Sequence, residues 1–256
     1  QGIGAAVART LAAAGAAVIV TDLEARSTVA AAVLADMGDS GRRAEFAALD
    51  VSAEQQWQSV MQQVERRHGG LDILVNNAGV VLVKPVEQVS LDEMRWITRI
   101  NMEGVFLGVK HALPLMKPRA AANPAGASII NISSAMGIKG YPFGSLYSMT
   151  KGAIRLFSKS VALEFAQLKY NIRVNSVHPG LVDTAMVDFE TDKLSQLGAM
   201  GASTPQEMRQ AFENYNPLGR LGTPQELANA VLFLASDLSS FITGSEMTVD
   251  GGETAR

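Results

Sequence analysis

Tyr147 and Lys151, in the stretch YSMTK, place a phenol and an ammonium four residues apart. On a helix, residues at i and i+4 share one face, so both groups can address one site. Ser134 lies thirteen positions upstream, at the end of IINISS. A hydroxyl just after an apolar run sits at the carboxyl edge of a strand, where open α/β sheets bind ligands. No GxSxG elbow surrounds Ser134, which makes it a poor acyl nucleophile. Asn101 interrupts a long helical pattern, although asparagine is a poor helix former. Either its side chain is back-bonded or faces solvent, or it holds a water behind a lysine.

A second set of residues suits a dinucleotide. Gly2-Ile3-Gly4 opens an Ala-rich helical stretch, and backbone amides at such a start can face a phosphate. Asp22 follows 18 residues after Gly4 at the end of the next apolar run, near the spacing of an acid that binds a ribose 2′-hydroxyl. It could equally cap the helix after it. Leu23 follows the acid, and no Arg stands beside it to take a 2′-phosphate, so a bound dinucleotide would be NAD rather than NADP. Leu49-Asp50-Val51 could wall and bond an adenine, or simply turn the chain. Asn76-Asn77-Ala78-Gly79 lets a backbone approach a flat ligand closely, or forms a turn tolerant of positive φ. Pro179-Gly180-Leu181-Val182-Asp183-Thr184 bends sharply and could offer amides to a carboxamide or phosphate; the alternative is a plain turn.

The elements that must position these groups alternate in period. Short β-branched runs fall at 17–21, 71–75, 127–132, 172–177 and 245–249, with a weaker one at 43–49. Runs without polar alternation suit parallel strands covered on both faces. Helical patterns lie between them: 2–14, 53–68 behind a Ser52/Gln55 capping pair, a long one opened by Ser90 and Glu93 and running towards Pro114, and 224–235 opened by Thr223, Pro224 and Glu226. About six alternations predict a single-domain, doubly wound, mostly parallel Rossmann-type α/β sheet with helices on both faces. A glycine-rich turn ordinarily follows a strand, and none precedes Gly2. The natural protein is therefore expected to carry roughly 10–20 more N-terminal residues, including that strand and a first glycine. Residues 187–218 are too long for an ordinary loop and read as a substrate lid. Phe189, Leu194, Leu197, Met200, Met208 and Phe212 would close it over an apolar substrate, with Lys193 and Arg209 its only cations.

Composition removes other classes. The 256 residues are 47% hydrophobic and 18% charged, with a net charge of −3. That excludes intrinsic disorder, and no basic stripe marks a nucleic-acid partner. Without cysteine there is no disulfide, thiolate nucleophile or Cys-based zinc site, which fits a cytoplasmic location. His68, His111 and His178 are scattered, so no metal is expected. No apolar stretch approaches the ~18 residues needed to cross a membrane.

Taken in order, GIG, Asp22, LDV, NNAG, Asn101, ISS, YxxxK, PGLVDT and the closing TGSEMTVDGG resemble the short-chain dehydrogenase/reductase family over the whole chain. The likeness is greatest to NAD-dependent secondary-alcohol and hydroxysteroid dehydrogenases. That resemblance implies a hydride transfer between NAD and a secondary alcohol or ketone. It implies Tyr147 as general acid/base, Lys151 lowering its pKa and bonding the nicotinamide ribose, Ser134 on the substrate oxygen, and Asn101 positioning a proton-relay water. Working near neutral pH asks for a phenol pKa drop of about three units, or ~4 kcal/mol. The family also implies a homotetramer. Rival readings are an NADPH-linked 3-oxoacyl reductase, a sugar-nucleotide epimerase or dehydratase, and a non-catalytic dinucleotide sensor. Asp22 and the acidic balance weigh against the first. The second usually carries a larger C-terminal substrate domain. The Ser134–Tyr147–Lys151 set weighs against the third.

Overall fold

The computed structural model describes residues 1–255. Its centre is parallel sheet. Strands β3 (Ile73–Asn76), β4 (Ala127–Ile132), β5 (Ile172–Pro179) and β6 (Glu246–Val249) hydrogen-bond in that order, all parallel. Strands β1 (Val18–Asp22) and β2 (Ala44–Ala48) form a separate parallel pair. A slot lies between the β1 and β3 edges, and Val18, Val20, Ile73 and Val75 line its walls.

β4 and β5 are buried along their whole length, as expected of strands covered on both faces. Ile129, Ile130, Val174 and Val177 are fully buried. Each such side chain contributes about 1.5–3 kcal/mol relative to exposure. The polar residues among them are satisfied: Asn76 donates to Asn131, Asn131 to Ser158, and Asn175 to the Ile242 carbonyl.

Helices cover both faces. On one side, α1 (Gly2–Ala13) presents Ala6, Val7 and Leu11 to α9 (Pro224–Ala235), which answers with Leu227, Ala228 and Val231. On the other side lie α3 (Glu54–His68), α5 (Gly104–Ala122) and α6 (Ser145–Gln167), packed through Trp57, Val60, Met116, Val161 and Phe165. α2 (Ser27–Asp36) closes on β1 and β2. α4 (Leu91–Thr98) starts with the expected capping box, Ser90 with Glu93, and Thr223 with Glu226 starts α9 in the same way.

Two local expectations need correction. Ser52 does not cap α3: it bonds the Asp50 carboxylate through its amide and hydroxyl, and Ala53 is the N-cap. The long helix does not stop at Pro114. It continues to Ala122 with Pro114 and Pro118 inside it. Met116 and Ala120, both fully buried, hold that stretch against the core despite the lost amide bonds.

Candidate active site

The helix carrying the phenol begins at Ser145, so Tyr147 stands in its first turn and Lys151 one turn further on. Both are buried, at 7% and 3% exposure. Lys151 Nζ lies 5.5 Å from the Tyr147 ring centroid and donates to the Ile132 carbonyl at 2.9 Å. The Ser133 hydroxyl donates to the Lys151 carbonyl at 2.8 Å, locking this helical turn to the end of β4. Ser134 follows in extended conformation, and its Oγ accepts from the Met136 amide. His178 Nδ1 lies 3.1 Å from the Ser134 carbonyl and Nε2 lies 2.8 Å from Ser176 Oγ, so this histidine shapes the backbone beneath the serine.

Burial sets the electrostatics. It lowers the Lys151 pKa from 10.5 to about 8, because the ammonium is taken out of water. It raises that of Tyr147 well above the ordinary phenol value; the charge of Glu190 adds to the rise and a hydrogen bond with Ser134 opposes it. Without a further positive charge, the phenol keeps its proton.

Asn101 occupies a π-helical turn, Arg99–Glu103, between α4 and α5. Such turns recur at functional sites. Its Oδ1 accepts from the Val80 amide at 2.8 Å, and its Nδ2 donates to the Val80 carbonyl and to Thr150. The side chain therefore braces the segment after Gly79. A Cβ built at Gly79 would lie 3.3 Å from Lys151 Nζ and 3.4 Å from Asn101 Oδ1, which puts that glycine against both groups.

A cavity of about 1060 Å³, which includes the slot between β1 and β3, runs from these residues to the start of α1. Tyr147, Lys151 and Ser134 line it. So do Gly2, Ile3, Gly4, Asp22, Leu23, Asp50 and Val51. Asn77, Ala78, Gly79, Pro179, Gly180, Val182 and Thr184 complete the set nominated from sequence. Asn101 stands behind the wall.

The cavity fits a dinucleotide by its own construction. The first intrahelical bond of α1 runs from Ala5 to Gln1, so the amides of Gly2, Ile3 and Gly4 precede it. A Cβ at Gly4 would lie 2.6 Å from Asn77 Nδ2, and Gly2 has φ +56° with Thr184 at 3.3 Å from its would-be Cβ. Only glycine lets three chain segments meet so closely. Asp22 ends β1, and its Oδ1 accepts from the Leu23 amide. Arg26, which sequence reasoning passed over, brings Nη1 to 3.4 Å from Gln1 Oε1, beside the glycine turn. Asp50 spends Oδ1 on Ser52, the turn-forming role.

Residues 187–218 fold into α7 (Ala185–Gln196) and α8 (Pro205–Tyr215). Of the six apolar residues expected to close over a substrate, none lines the cavity. Leu194, Met208 and Phe212 are buried in a cluster with Leu181, Val187 and Leu221, whereas Phe189, Leu197 and Met200 are exposed. Two helices this short need their apolar residues to pack on one another and on the body. The segment instead gives Val187 and Glu190 to the cavity, beside Met186, Tyr141 and Glu253. Glu190 was legible in principle: it shares the inward stripe of Val187, Thr191 and Leu194. Among the described residues no cluster of His, Cys, Asp or Glu could hold a metal ion, and no helix is long and apolar enough to cross a membrane.

Comparison with known proteins agrees with this geometry. A family model described as enoyl-(acyl carrier protein) reductase matches residues 1–254. Cyclopentanol dehydrogenase of Comamonas testosteroni is 38% identical over 256 residues, covering all of this chain and 94% of its own. A 3-alpha-(or 20-beta)-hydroxysteroid dehydrogenase of Mycobacterium tuberculosis is 38% identical over 255 residues, covering all of this chain and 86% of its own. Among solved structures, a gluconate 5-dehydrogenase from Burkholderia cenocepacia, in complex with NADP and tartrate, is 31% identical. It superposes with a TM-score of 0.84, covering all of this chain and 92% of that one. A nicotinamide dinucleotide is thus the cofactor class the cavity serves. The chain belongs to the short-chain dehydrogenase/reductase family and is an oxidoreductase.

Proposed function

We propose that the protein transfers hydride between NAD and an uncharged, fairly bulky secondary alcohol or ketone, cyclic or steroid-like. The observation that carries this is the burial of Tyr147 and Lys151 side by side in the cavity that also reaches Gly2–Gly4 and Asp22. NAD, when bound, supplies the hydride-accepting carbon. Ser134 holds the substrate oxygen beside the phenol. Tyr147 takes the hydroxyl proton during oxidation and returns it during reduction. Lys151 stabilises the phenolate through its ammonium and leaves the Ile132 carbonyl to bond a ribose hydroxyl. Asn101 keeps the Val80 backbone in place behind Lys151, where a relay water would stand. Asp22 accepts from the adenosine ribose hydroxyls and repels a 2′-phosphate.

The cyclic relatives and the apolar lining given by Val187 and Met186 support the substrate class. From residues 187–218, Val187 and Glu190 face the cavity. A further strand is inferred in the slot between β1 and β3, since each edge offers unpaired backbone groups. Leu156 and Leu163 on α6, Phe106 on α5, and Leu238 with Phe241 are exposed, supporting burial against further copies of the chain in a tetramer.

Following reduced-nicotinamide absorbance with cyclic, aryl and steroid alcohols tests the reading. Turnover with a cyclic alcohol and preference for NAD at equal concentrations are expected. Preference for NADP would move the role of Asp22 to Arg26, and superior turnover of a small charged hydroxy acid would overturn the substrate class.

A further inference from the structure

Glu190 is 7% exposed, yet none of the hydrogen bonds or ion pairs among the described residues engages its carboxylate. Its side chain lines the same cavity as Tyr147 and Ser134, and its charge is felt at the Tyr147 phenol. A buried carboxylate without a partner is costly, because desolvation is not offset. Burial and the charge of Glu253 raise its pKa to about 7. The packing of α7 does not require an acid at this point: Val187 and Leu194 carry the apolar contact. An acceptor held in the substrate cavity with nothing to accept from is a site for a ligand donor.

The surroundings narrow the donor. Lys139 lies 3.4 Å from a Glu253 carboxylate oxygen, donates to the Glu253 carbonyl at 2.8 Å and to the Tyr215 hydroxyl at 2.7 Å. Lys139 itself stands outside the cavity lining, but an ammonium-bearing substrate would share the cavity with the Lys151 ammonium. A carboxylate-bearing substrate would meet Glu190 and Glu253. A neutral hydroxyl meets neither objection.

We propose that Glu190 is a specificity residue that accepts a hydrogen bond from a second hydroxyl of the substrate, remote from the carbinol being oxidised, so that the enzyme favours cyclic diols over the matching mono-alcohols. This rests on the secondary-alcohol reading above and sharpens its substrate class.

The test compares kcat/KM for trans-1,4-cyclohexanediol, cyclohexanol and trans-4-hydroxycyclohexanecarboxylate, above pH 7 where Glu190 is ionised. The variants are Glu190→Leu and Glu190→Gln. Leu should fold, since it removes an uncompensated buried charge and joins an apolar cluster. The wild type should favour the diol over cyclohexanol by about tenfold or more, the scale of a hydrogen bond to a charged acceptor. Glu190→Leu should reduce that ratio to roughly the twofold set by two equivalent hydroxyls, because any change at the Tyr147 phenol acts on both alcohols alike and cancels in the ratio, while Glu190→Gln falls between. The carboxylate should be the poorest substrate of the wild type and gain in Glu190→Leu. A diol preference that survives unchanged in Glu190→Leu, or is absent from the wild type, overturns the proposal alone. A wild type that oxidises neither these three nor any aryl or steroid alcohol overturns the secondary-alcohol reading itself.

Discussion

The two ends of the cavity handle water in opposite ways. Tyr147 and Lys151 are almost wholly buried, and their turn is tied to β4 through Ser133 and Ile132. Asp22 is half-buried, and Leu23 beside it is 49% exposed. Moving a proton at neutral pH requires strong fields, and fields are strong where water is excluded. Recognising a ribose, the role proposed for Asp22, requires only an acceptor in the right place, and a half-buried carboxylate serves. The same burial that would make the proposed catalytic end effective also works against it. It holds the Tyr147 phenol protonated and pulls the Lys151 pKa down to about 8.

That contrast ranks the expected effects of substitution. Tyr147→Phe keeps the packed ring and removes the proposed proton carrier. Its turnover should fall by about 10²–10⁴ with cofactor affinity kept, as read from steady-state rates and cofactor titration. Retention of a tenth of the rate would show that the buried end is not the chemical one.

Lys151→Met should also abolish turnover, but its stability signature is the sharper test. The native lysine holds its proton only to about 8, and its unperturbed value is 10.5. Between those values the unfolded chain binds more protons, so wild-type stability rises with pH relative to the variant. The full difference is on the order of 3 kcal/mol. Denaturant unfolding of both proteins across this pH range measures it; parallel curves would place Lys151 in water.

Asp22→Ala, at the wetter end, should weaken NAD binding by roughly tenfold to a hundredfold, the scale of ~1.5–3 kcal/mol for hydrogen bonds to a charged group. It should narrow the preference over NADP and leave kcat near its original value. A lowered kcat with unchanged NAD affinity would reverse the assignment of the two ends. The smallest effect is expected outside the cavity lining: Thr223→Ala removes the α9 cap bond to Glu226 and should cost about 1 kcal/mol of stability with little change in turnover.

Strands and capped helices were readable because their signals are local. The fully apolar runs at β4 and β5, and the boxes at Ser90 and Thr223, depend on neighbours in sequence. The Tyr147–Lys151 pair was legible for the same reason, since four residues on a helix fix their common face. What sequence hid depended on three-dimensional company. Asn101 reads as a misplaced helix residue, and only the fold shows its partners Val80 and Thr150 and the π-helical turn. Ser52 resembled a cap until Asp50 claimed its hydroxyl. The apolar residues of 187–218 looked like a substrate surface, but their burial in a local cluster is settled by how α7 and α8 meet. Glu190 is placed inward by its helical stripe with Val187 and Leu194, but only the fold shows that this stripe reaches the cavity beside Tyr147.

The central claim is that the buried phenol becomes a proton carrier only when positive charge joins it in the cavity. Ultraviolet difference titration of tyrosinate, wild type against Tyr147→Phe, with and without NAD, tests it directly. Without cofactor, Tyr147 should show no ionisation up to the ordinary phenol value of about 10. With NAD bound, one tyrosinate absent from the variant should appear well below that value. A Tyr147 that titrates at about 10 in both states would contradict the account.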